Sequence, residues 1–395
     1  MADGRRRSTA KQARRDARRR KARRREPVEL ETPEETPLID EVRQALDGGR
    51  PLDLLDLLSL MMLATAPQQP TLRPQPDAPG LDELVTAFIG VQVPETTALL
   101  TVLGELIVDD DVLRARCRHE VDVRKDSLPR WLVGLAQTTV HRVVRMSHVL
   151  GDGDELLLGV RLADGQEMTC AVHIDHLMMS AVKDAFFVPE SVDAVVSVAK
   201  ASNADPDASF VDLGLAEARA VLQYALEQPF SKVVLEASDT WPACRALVRW
   251  LTRLMPIDSS ITVVPQHDSS CTAASMKRFF ASSAGAPFDD HYYREMLERC
   301  IEEGTGDPLR WSEARLSQLL STAVYADSLP MAVQLDVPEL LLAFVPFAHA
   351  ESGIRQALTA EALTAIDALA DHYRSKVVED ARYNGYFDDD EGPVE

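Results

Sequence analysis

Apolar residues recur at three- and four-residue steps from Leu38 onward, which places them on one face of an α-helix. The first such segment stops at Gly48-Gly49, a pair that favours a helix end. The pattern predicts helices over residues 38–46, 52–64, 81–89, 95–108 and 110–120, and later over 191–201, 215–227, 242–254, 289–303, 312–323, 337–350 and 360–378.

The period of the pattern changes from about 3.6 to 2 residues near Val140, and alternation of this kind indicates β-strands. Three strands are predicted, near 140–150, 155–162 and 167–175. The Gly/Asp-rich stretches between them indicate tight turns, so the strands should pair in order as an antiparallel meander. On the third strand, one face should hold Met168, Cys170, Val172 and Ile174, and the other Thr169, Ala171, His173 and Asp175.

The pattern between this meander and the last helices is weaker. Residues 176–187 are predicted as a helix, short strands over 232–235 and 260–264 stay open, and 265–287 are interpreted mostly as a connection. Five prolines over 67–80 predict an exposed linker or long loop, and the acidic chain end, NGYFDDDEGPVE, is predicted to fray.

Together these elements predict a mainly α, α+β fold in which helical N- and C-terminal parts flank a central part with a short antiparallel meander. The predicted divisions are a basic arm with a Pro/Glu linker (1–37), a helical part (38–135), a central α/β part (136–265), a second helical part (266–379) and an acidic tail (380–395).

Charge divides the chain into two opposite regions. The first 25 residues hold 13 Lys/Arg and two Asp and so carry +11; because the whole chain carries −21, the other 370 residues carry −32. We call residues 5–25 the basic arm and the remainder after the linker the body. Mutual repulsion predicts that the basic arm is disordered when it is free.

Closely spaced guanidinium groups fit the phosphates of nucleic acid, so RNA, the ribosome or DNA is the predicted partner of the basic arm. Acidic protein, including the body itself, is a second candidate. A membrane surface is a third, although the arm has no Trp, Phe or Leu face to insert. The predicted nucleic-acid-binding residues are Arg5, Arg6, Arg7, Lys11, Arg14, Arg15, Arg18, Arg19, Arg20, Lys21, Arg23, Arg24 and Arg25.

The best candidates for chemistry in the body are His173, Asp175 and His176, with Asp184 nearby. Histidine and carboxylate side chains at this spacing suit a metal ion or a proton transfer. The favoured alternative is structural: Asp175 caps the next element by accepting a backbone N–H, and the histidines lie at a surface.

Other motifs are interpreted structurally. The GDGD stretch at 151–154 has no later acidic ligand for calcium and predicts a hairpin turn, while Asp109-Asp110-Asp111 predicts a helix start. The common nucleotide-binding, hydrolase and zinc-protease motifs do not occur, and no cofactor is predicted.

Five separated cysteines without a C-x-x-C pair predict reduced, mostly buried thiols and a cytoplasmic location. The basic run is not followed by an apolar segment, so no secretion signal is predicted. The most apolar stretch, 52–66, contains Asp53 and Asp56 and is too short and too charged to span a bilayer.

Three segments, LPRWLVGL, the block from GDGDELLLGV to VPESVD, and DTWPACRALVRWLTRLMP, resemble a family of conserved hypothetical actinobacterial proteins. The resemblance covers most of the chain after Leu38 but not the basic arm. It implies no activity and no functional residues.

The sequence therefore favours a non-enzymatic cytoplasmic binding protein that contacts nucleic acid through the basic arm and an unknown protein partner through the acidic body. Two alternatives stay open: an enzyme with a site near His173, Asp175, His176 and Asp184, or an interaction scaffold whose arm binds acidic protein.

Overall fold

The computed structural model describes residues 37–65, 80–228, 240–261, 269–322 and 328–383. In these ranges the chain is mainly helical, with a five-stranded antiparallel sheet between N- and C-terminal helices. The predicted α+β fold class is confirmed. Several predicted segments lie outside the described residues. They are the basic arm, nearly all of the proline-rich linker, the possible strand at 232–235, most of the possible strand at 260–264 and the chain end after 383.

The helices that precede the sheet begin and end near the predicted positions. Asp110 accepts a hydrogen bond from the Leu113 N–H at 2.8 Å, so the acidic run at 109–111 starts a helix, as predicted. The described helices here are α1 (Pro37–Asp47), α2 (Pro51–Thr65), α3 (Leu81–Gly90), α4 (Pro94–Leu106), α5 (Asp111–Arg124) and the short α6 (Arg130–Val133).

The sheet has the strand order β4-β3-β2-β1-β5. Its strands are β1 (Thr139–His148), β2 (Gly153–Arg161), β3 (Glu167–Asp175), β4 (Ala181–Val188) and β5 (Ala208–Leu213). The first three form the predicted meander and pair in order. Gly151 has a φ of 69°, which glycine adopts readily, and GDGD is the expected hairpin turn leading into β2.

The helix predicted over 176–187 is wrong. A single 3₁₀ turn, His176–Met178, is followed by Met179 and Ser180 at positive φ and then by β4, which pairs with β3. Pairing with an existing sheet edge overrides a short, ambiguous apolar pattern. The strand β5 was not expected, because half of its six residues are exposed and only Leu213 is buried.

Both faces of the sheet are covered in part. The predicted inward set on β3 (Met168, Cys170, Val172 and Ile174) lies in the larger apolar core, as expected. On the other face, Ala171 and Leu157 pack against Val192 and Val196 of α7 (Val192–Ser202).

Two helices complete this part of the fold, α8 (Leu215–Glu227) and α9 (Arg245–Leu254). The interpretation of 265–287 as mostly a connection is wrong, because Ser269–Phe280 form α10. Its C-terminal residues Met276, Phe279 and Phe280 are buried, and this tertiary packing holds a segment whose first half has no apolar periodicity.

The remaining helices are α11 (His291–Glu302), α12 (Glu313–Thr322), α13 (Met331–Leu335), α14 (Val337–Ser352) and α15 (Gln356–Tyr383). They enclose a second apolar core with Trp311, Phe344 and Tyr373 among its largest buried side chains. Of the helices described, none combines the length and apolar character that crossing a membrane requires.

The larger core draws its residues from Val42 to Met255, and the second core from Met276 to Val377. A smaller set of apolar and polar contacts joins the sheet to the C-terminal helices. We call this set the junction: Leu150, Asp152, Asp207, Ser312, Arg315, Ile354, Arg355 and Leu358.

The cysteines are mostly buried free thiols, as the sequence predicted: Cys117, Cys170, Cys244 and Cys300 are buried, and Cys271 is exposed. Burial raises the pKa of Cys117 to about 11 and that of Cys300 to about 12. These two side chains therefore stay protonated near neutral pH and act as apolar core residues.

Candidate functional site

The residues that the sequence singled out in the body have separate partners. His173 is a cross-strand neighbour of Glu155, with Nδ1 3.7 Å from Oε2. Asp175 accepts hydrogen bonds from the Leu177 N–H at 3.0 Å and from Lys183 Nζ at 2.5 Å. Asp175 thus caps the turn that follows it, which is the structural role proposed from the sequence.

His176 and Asp184 are buried and contact other groups. His176 Nδ1 lies 2.9 Å from the Ser180 hydroxyl, and Nε2 lies 3.3 Å from Asp154 Oδ2. Asp184 accepts a hydrogen bond from Thr240. Among the described residues, His173, Asp175, His176 and Asp184 do not form a group with ligand atoms close enough to share one metal ion.

Three other residues, His148, Asp205 and Asp207, form a group that could hold a metal ion. The sequence had not indicated them as a site. They are half-buried, and their candidate ligand atoms lie within 4.8 Å of one another. His148 ends β1, whereas the two aspartates lie in the loop before β5. The Asp-Pro-Asp spacing was visible in the sequence, but nothing in it places His148 beside this loop.

Hydrogen bonding around this group disfavours metal binding. The Leu150 N–H donates to His148 Nδ1 at 3.2 Å, so the proton of the neutral ring lies on Nε2, the nitrogen that faces Asp205 at 3.7 Å. A metal would need that nitrogen unprotonated. Asp205 Oδ1 accepts the Asp207 N–H, and Asp207 Oδ2 lies 2.5 Å from Arg355 Nε. The arrangement suits an ionic clamp between the sheet and α15.

Arg315 is the most buried charged side chain of the junction, with 1% of its surface exposed. Its guanidinium donates to the backbone carbonyls of Asp307 at 2.5 Å, Arg310 at 2.8 Å and Ile301 at 2.7 Å. The guanidinium carbon also lies 3.9 Å from the centroid of the Trp311 ring. Burial lowers the pKa of Arg315 to about 10, so the group stays charged and needs all of these partners.

Asp152 faces Arg315 from the turn between β1 and β2. Burial raises the pKa of the Asp152 carboxyl to about 6. The hydrogen bond with Ser312 and the charges of Arg315 and His176 oppose this increase, whereas the charge of Asp175 adds to it. The ionised carboxylate is therefore unfavourable in the folded chain despite its cationic neighbour.

Asp152→Asn should raise the free energy of unfolding above pH 7 by at most about 3 kcal/mol and change it little near pH 4. The folded pKa is raised from 3.8 to about 6, so the aspartate's contribution is most favourable below about pH 4 and declines as the pH rises through 6. Asparagine cannot ionise and should remove this decline. Urea unfolding between pH 4 and 8 measures the effect.

The control for this substitution is Asp371→Asn, because the Asp371 side chain is fully exposed. It should leave the pH dependence of stability unchanged. An Asp152→Asn variant that is less stable than the wild type at pH 8 would contradict the prediction and show that Arg315 depends on the ionised carboxylate.

Two surface depressions are present, and Ile354 of the junction lines one of them. One of about 450 Å³ is lined by residues of α1 and the start of α4, including Arg43 and Glu95, whose side chains pair at 2.7 Å. The other, of about 380 Å³, lies between α14 and α15 and is lined mainly by apolar residues such as Pro346 and Leu363. Neither depression contains a predicted site residue.

The 13 predicted nucleic-acid-binding residues lie in the basic arm, outside the described residues, so their role stays a prediction. No protein-family model, curated protein or solved structure matches this chain. The resemblance to an actinobacterial family likewise stays a prediction.

Proposed function

We propose that this chain is a non-enzymatic nucleic-acid-binding protein whose basic arm contacts phosphates of RNA or DNA and whose acidic body contacts a protein partner. The observation that carries the proposal is the charge distribution: 13 cationic residues between positions 5 and 25, ahead of a region with a net charge of −32. Such an arm gains affinity by releasing the counterions of a polyanion, largely without regard to base sequence.

The ion pairs of the body support this assignment. Most of its described arginines are bound to carboxylates of the same chain. Arg142, for example, pairs with both Asp193 and Asp212, and Arg374 pairs with Glu339 and Asp371. The body therefore neutralises most of its own cations, which leaves the basic arm as the main source of excess positive charge.

The arrangement of the four candidate side chains does not favour the enzyme alternative. His173, Asp175, His176 and Asp184 each have their own structural partners, as described above. A cytoplasmic location goes with the proposal, because free, mostly buried cysteines are typical of a reducing compartment.

Binding of labelled probes by the full chain tests the proposal. Fluorescence anisotropy at about 50 mM salt should show binding to mixed-sequence RNA and DNA oligonucleotides, with similar affinity for unrelated sequences. Polyglutamate of similar length is the matched polyanion for the acidic-protein alternative. Binding of polyglutamate without binding of either nucleic acid would contradict the proposal and favour the interaction scaffold.

Recovery of the protein from its own cells, with and without nuclease, is the complementary experiment. Nucleic acid should accompany the protein prepared without nuclease. Nuclease treatment should release the proteins that are held to this chain through that nucleic acid. The same set of partners in both preparations, with no nucleic acid in either, would contradict the proposal.

A further inference from the structure

Helix α9 carries a stripe of arginines on the side opposite to its buried residues. Arg245, Arg249 and Arg253 follow one another at four-residue steps. The buried residues of the helix are Leu247, Val248, Trp250, Leu251 and Thr252. Because an α-helix rises 1.5 Å per residue, the arginines repeat about every 6 Å along the helix axis.

Helix α5 brings Arg114 and Arg118 close to the C-terminal end of this stripe. Arg118 Nη2 lies 2.7 Å from Glu105 Oε1, and Arg253 Nη2 lies 3.6 Å from Glu105 Oε2. Two guanidinium groups from different helices thus share one nearly buried carboxylate. We call Arg114, Arg118, Arg245, Arg249 and Arg253 the arginine ridge.

Like charges are crowded in the arginine ridge. Burial lowers the pKa of Arg253, and the charges of Arg114 and Arg118 lower it further. Burial also lowers the pKa of Arg245, with Arg249 adding to the effect. The neighbouring carboxylates are those of Glu105, Asp109, Asp110 and Asp111, so five arginines meet four carboxylates and the ridge is close to neutral, with a small cationic excess, on an otherwise strongly acidic body.

We propose that the arginine ridge is a second contact surface for the phosphate backbone of nucleic acid and acts together with the basic arm. This inference rests on the proposed function and extends it to the body. The spacing of α9 supports it, because the four-residue repeat sets three arginines in a row about 6 Å apart along the helix axis, where they can contact successive phosphates of one strand.

The geometry at Arg249 also suits a phosphate. Its two terminal nitrogens each lie 2.5 Å from an oxygen of Asp109, and the carboxylate is about one-third shielded. A phosphate offers the same pair of oxygens, so it can replace Asp109 in a two-point contact. The ridge presents no aromatic platform and only charged groups, so its contribution should not depend on base sequence.

The test is a full-length Arg249→Gln/Arg253→Gln variant with a mixed-sequence single-stranded RNA as the probe. Two lost phosphate contacts should reduce the steepness of log affinity against log salt by about 1.4 between about 50 and 200 mM salt. The corresponding Lys variant keeps both charges and should keep the wild-type slope. The matched control is Arg278→Gln/Arg374→Gln, which removes the same charge from exposed arginines of the C-terminal helices.

A ridge variant with the slope of this control would overturn the inference. Because Arg253 also donates to the Glu105 carbonyl at 2.8 Å, circular dichroism must show that the double variant is folded. If it is not, the single Arg118→Gln variant replaces it, since that side chain is half exposed, and a slope reduced by about 0.7 is expected.

The outcome for the ridge is separable from that for the basic arm. If the ridge variant matches its control while neutralising the arm abolishes binding, the inference is wrong and the proposed function stands. If the arm variant binds as well as the wild type and the ridge variant does not, the arm proposal is wrong and the ridge is the binding surface. If the ridge variant loses binding to polyglutamate but keeps wild-type binding to RNA, the partner of the ridge is an acidic protein and the inference is overturned.

Discussion

Replacing all 13 Lys/Arg of the basic arm with Gln should weaken binding to mixed-sequence RNA or DNA by at least about a hundredfold at 50 mM salt. If about half of these side chains contact phosphates at once, the wild-type slope of log affinity against log salt is about −5 on a duplex and about −4 on a single strand. Wild-type affinity for a duplex should then fall about a thousandfold between 50 and 200 mM salt. The neutral-arm variant should keep only the shallow slope expected for the arginine ridge.

The control for the neutral arm changes its 11 arginines to lysine and keeps the charge of +11 over residues 1–25. Lysine contacts phosphate as a point charge, so the salt slope should be preserved even if the affinity falls somewhat. The unfolding midpoint should be nearly the same in the wild type and both variants. Equal affinity and equal slope for the neutral arm and the wild type would show that the arm is not the binding element.

Regular, local patterns in the sequence predicted much of the fold. The alternation between 140 and 175 was enough to place β1, β2 and β3 and to assign the faces of β3. Helix α8 was predicted with its observed bounds, Leu215–Glu227. In these segments the side-chain period and the tertiary packing favour the same structure, so a single sequence suffices.

The errors occur where tertiary contacts decide the structure. Residues 181–188 have an apolar pattern too short to distinguish helix from strand, and pairing with β3 makes them β4. Helix α10 begins with small polar residues that have little helical periodicity, and its buried end holds it in place. The structures of β4 and α10 both depend on contacts with residues distant in the chain, and a local sequence pattern contains no information about such contacts.

The candidate sites show the same limit. The four-residue spacing of Arg245, Arg249 and Arg253 is visible in the sequence, but the fold alone places Arg114 and Arg118 beside them. Likewise, Asp152 and Arg315 come from a hairpin turn and a distant helix. Neither the shift in the pKa of Asp152 nor the burial of Arg315 had a local signal.

Arg315→Met should lower the free energy of unfolding by about 3–5 kcal/mol. Methionine can fill much of the same space, but it cannot donate hydrogen bonds to the carbonyls of Ile301, Asp307 and Arg310. These acceptors would be left buried without their donor, and the contact with Trp311 would lose its charge. Urea unfolding followed by circular dichroism and tryptophan fluorescence measures the loss.

Arg374→Met is the matched control, because Arg374 pairs with Glu339 of α14 and Asp371 of α15 at the surface of the C-terminal helices. Surface ion pairs contribute about 0–1 kcal/mol, so this variant should stay close to the wild type. Arg315→Lys should fall between the two, since lysine keeps the charge but cannot reproduce the fork that reaches three carbonyls. If Arg315→Met loses no more stability than Arg374→Met, the buried guanidinium does not stabilise the loop between α11 and α12, and the role assigned to it in the junction is wrong.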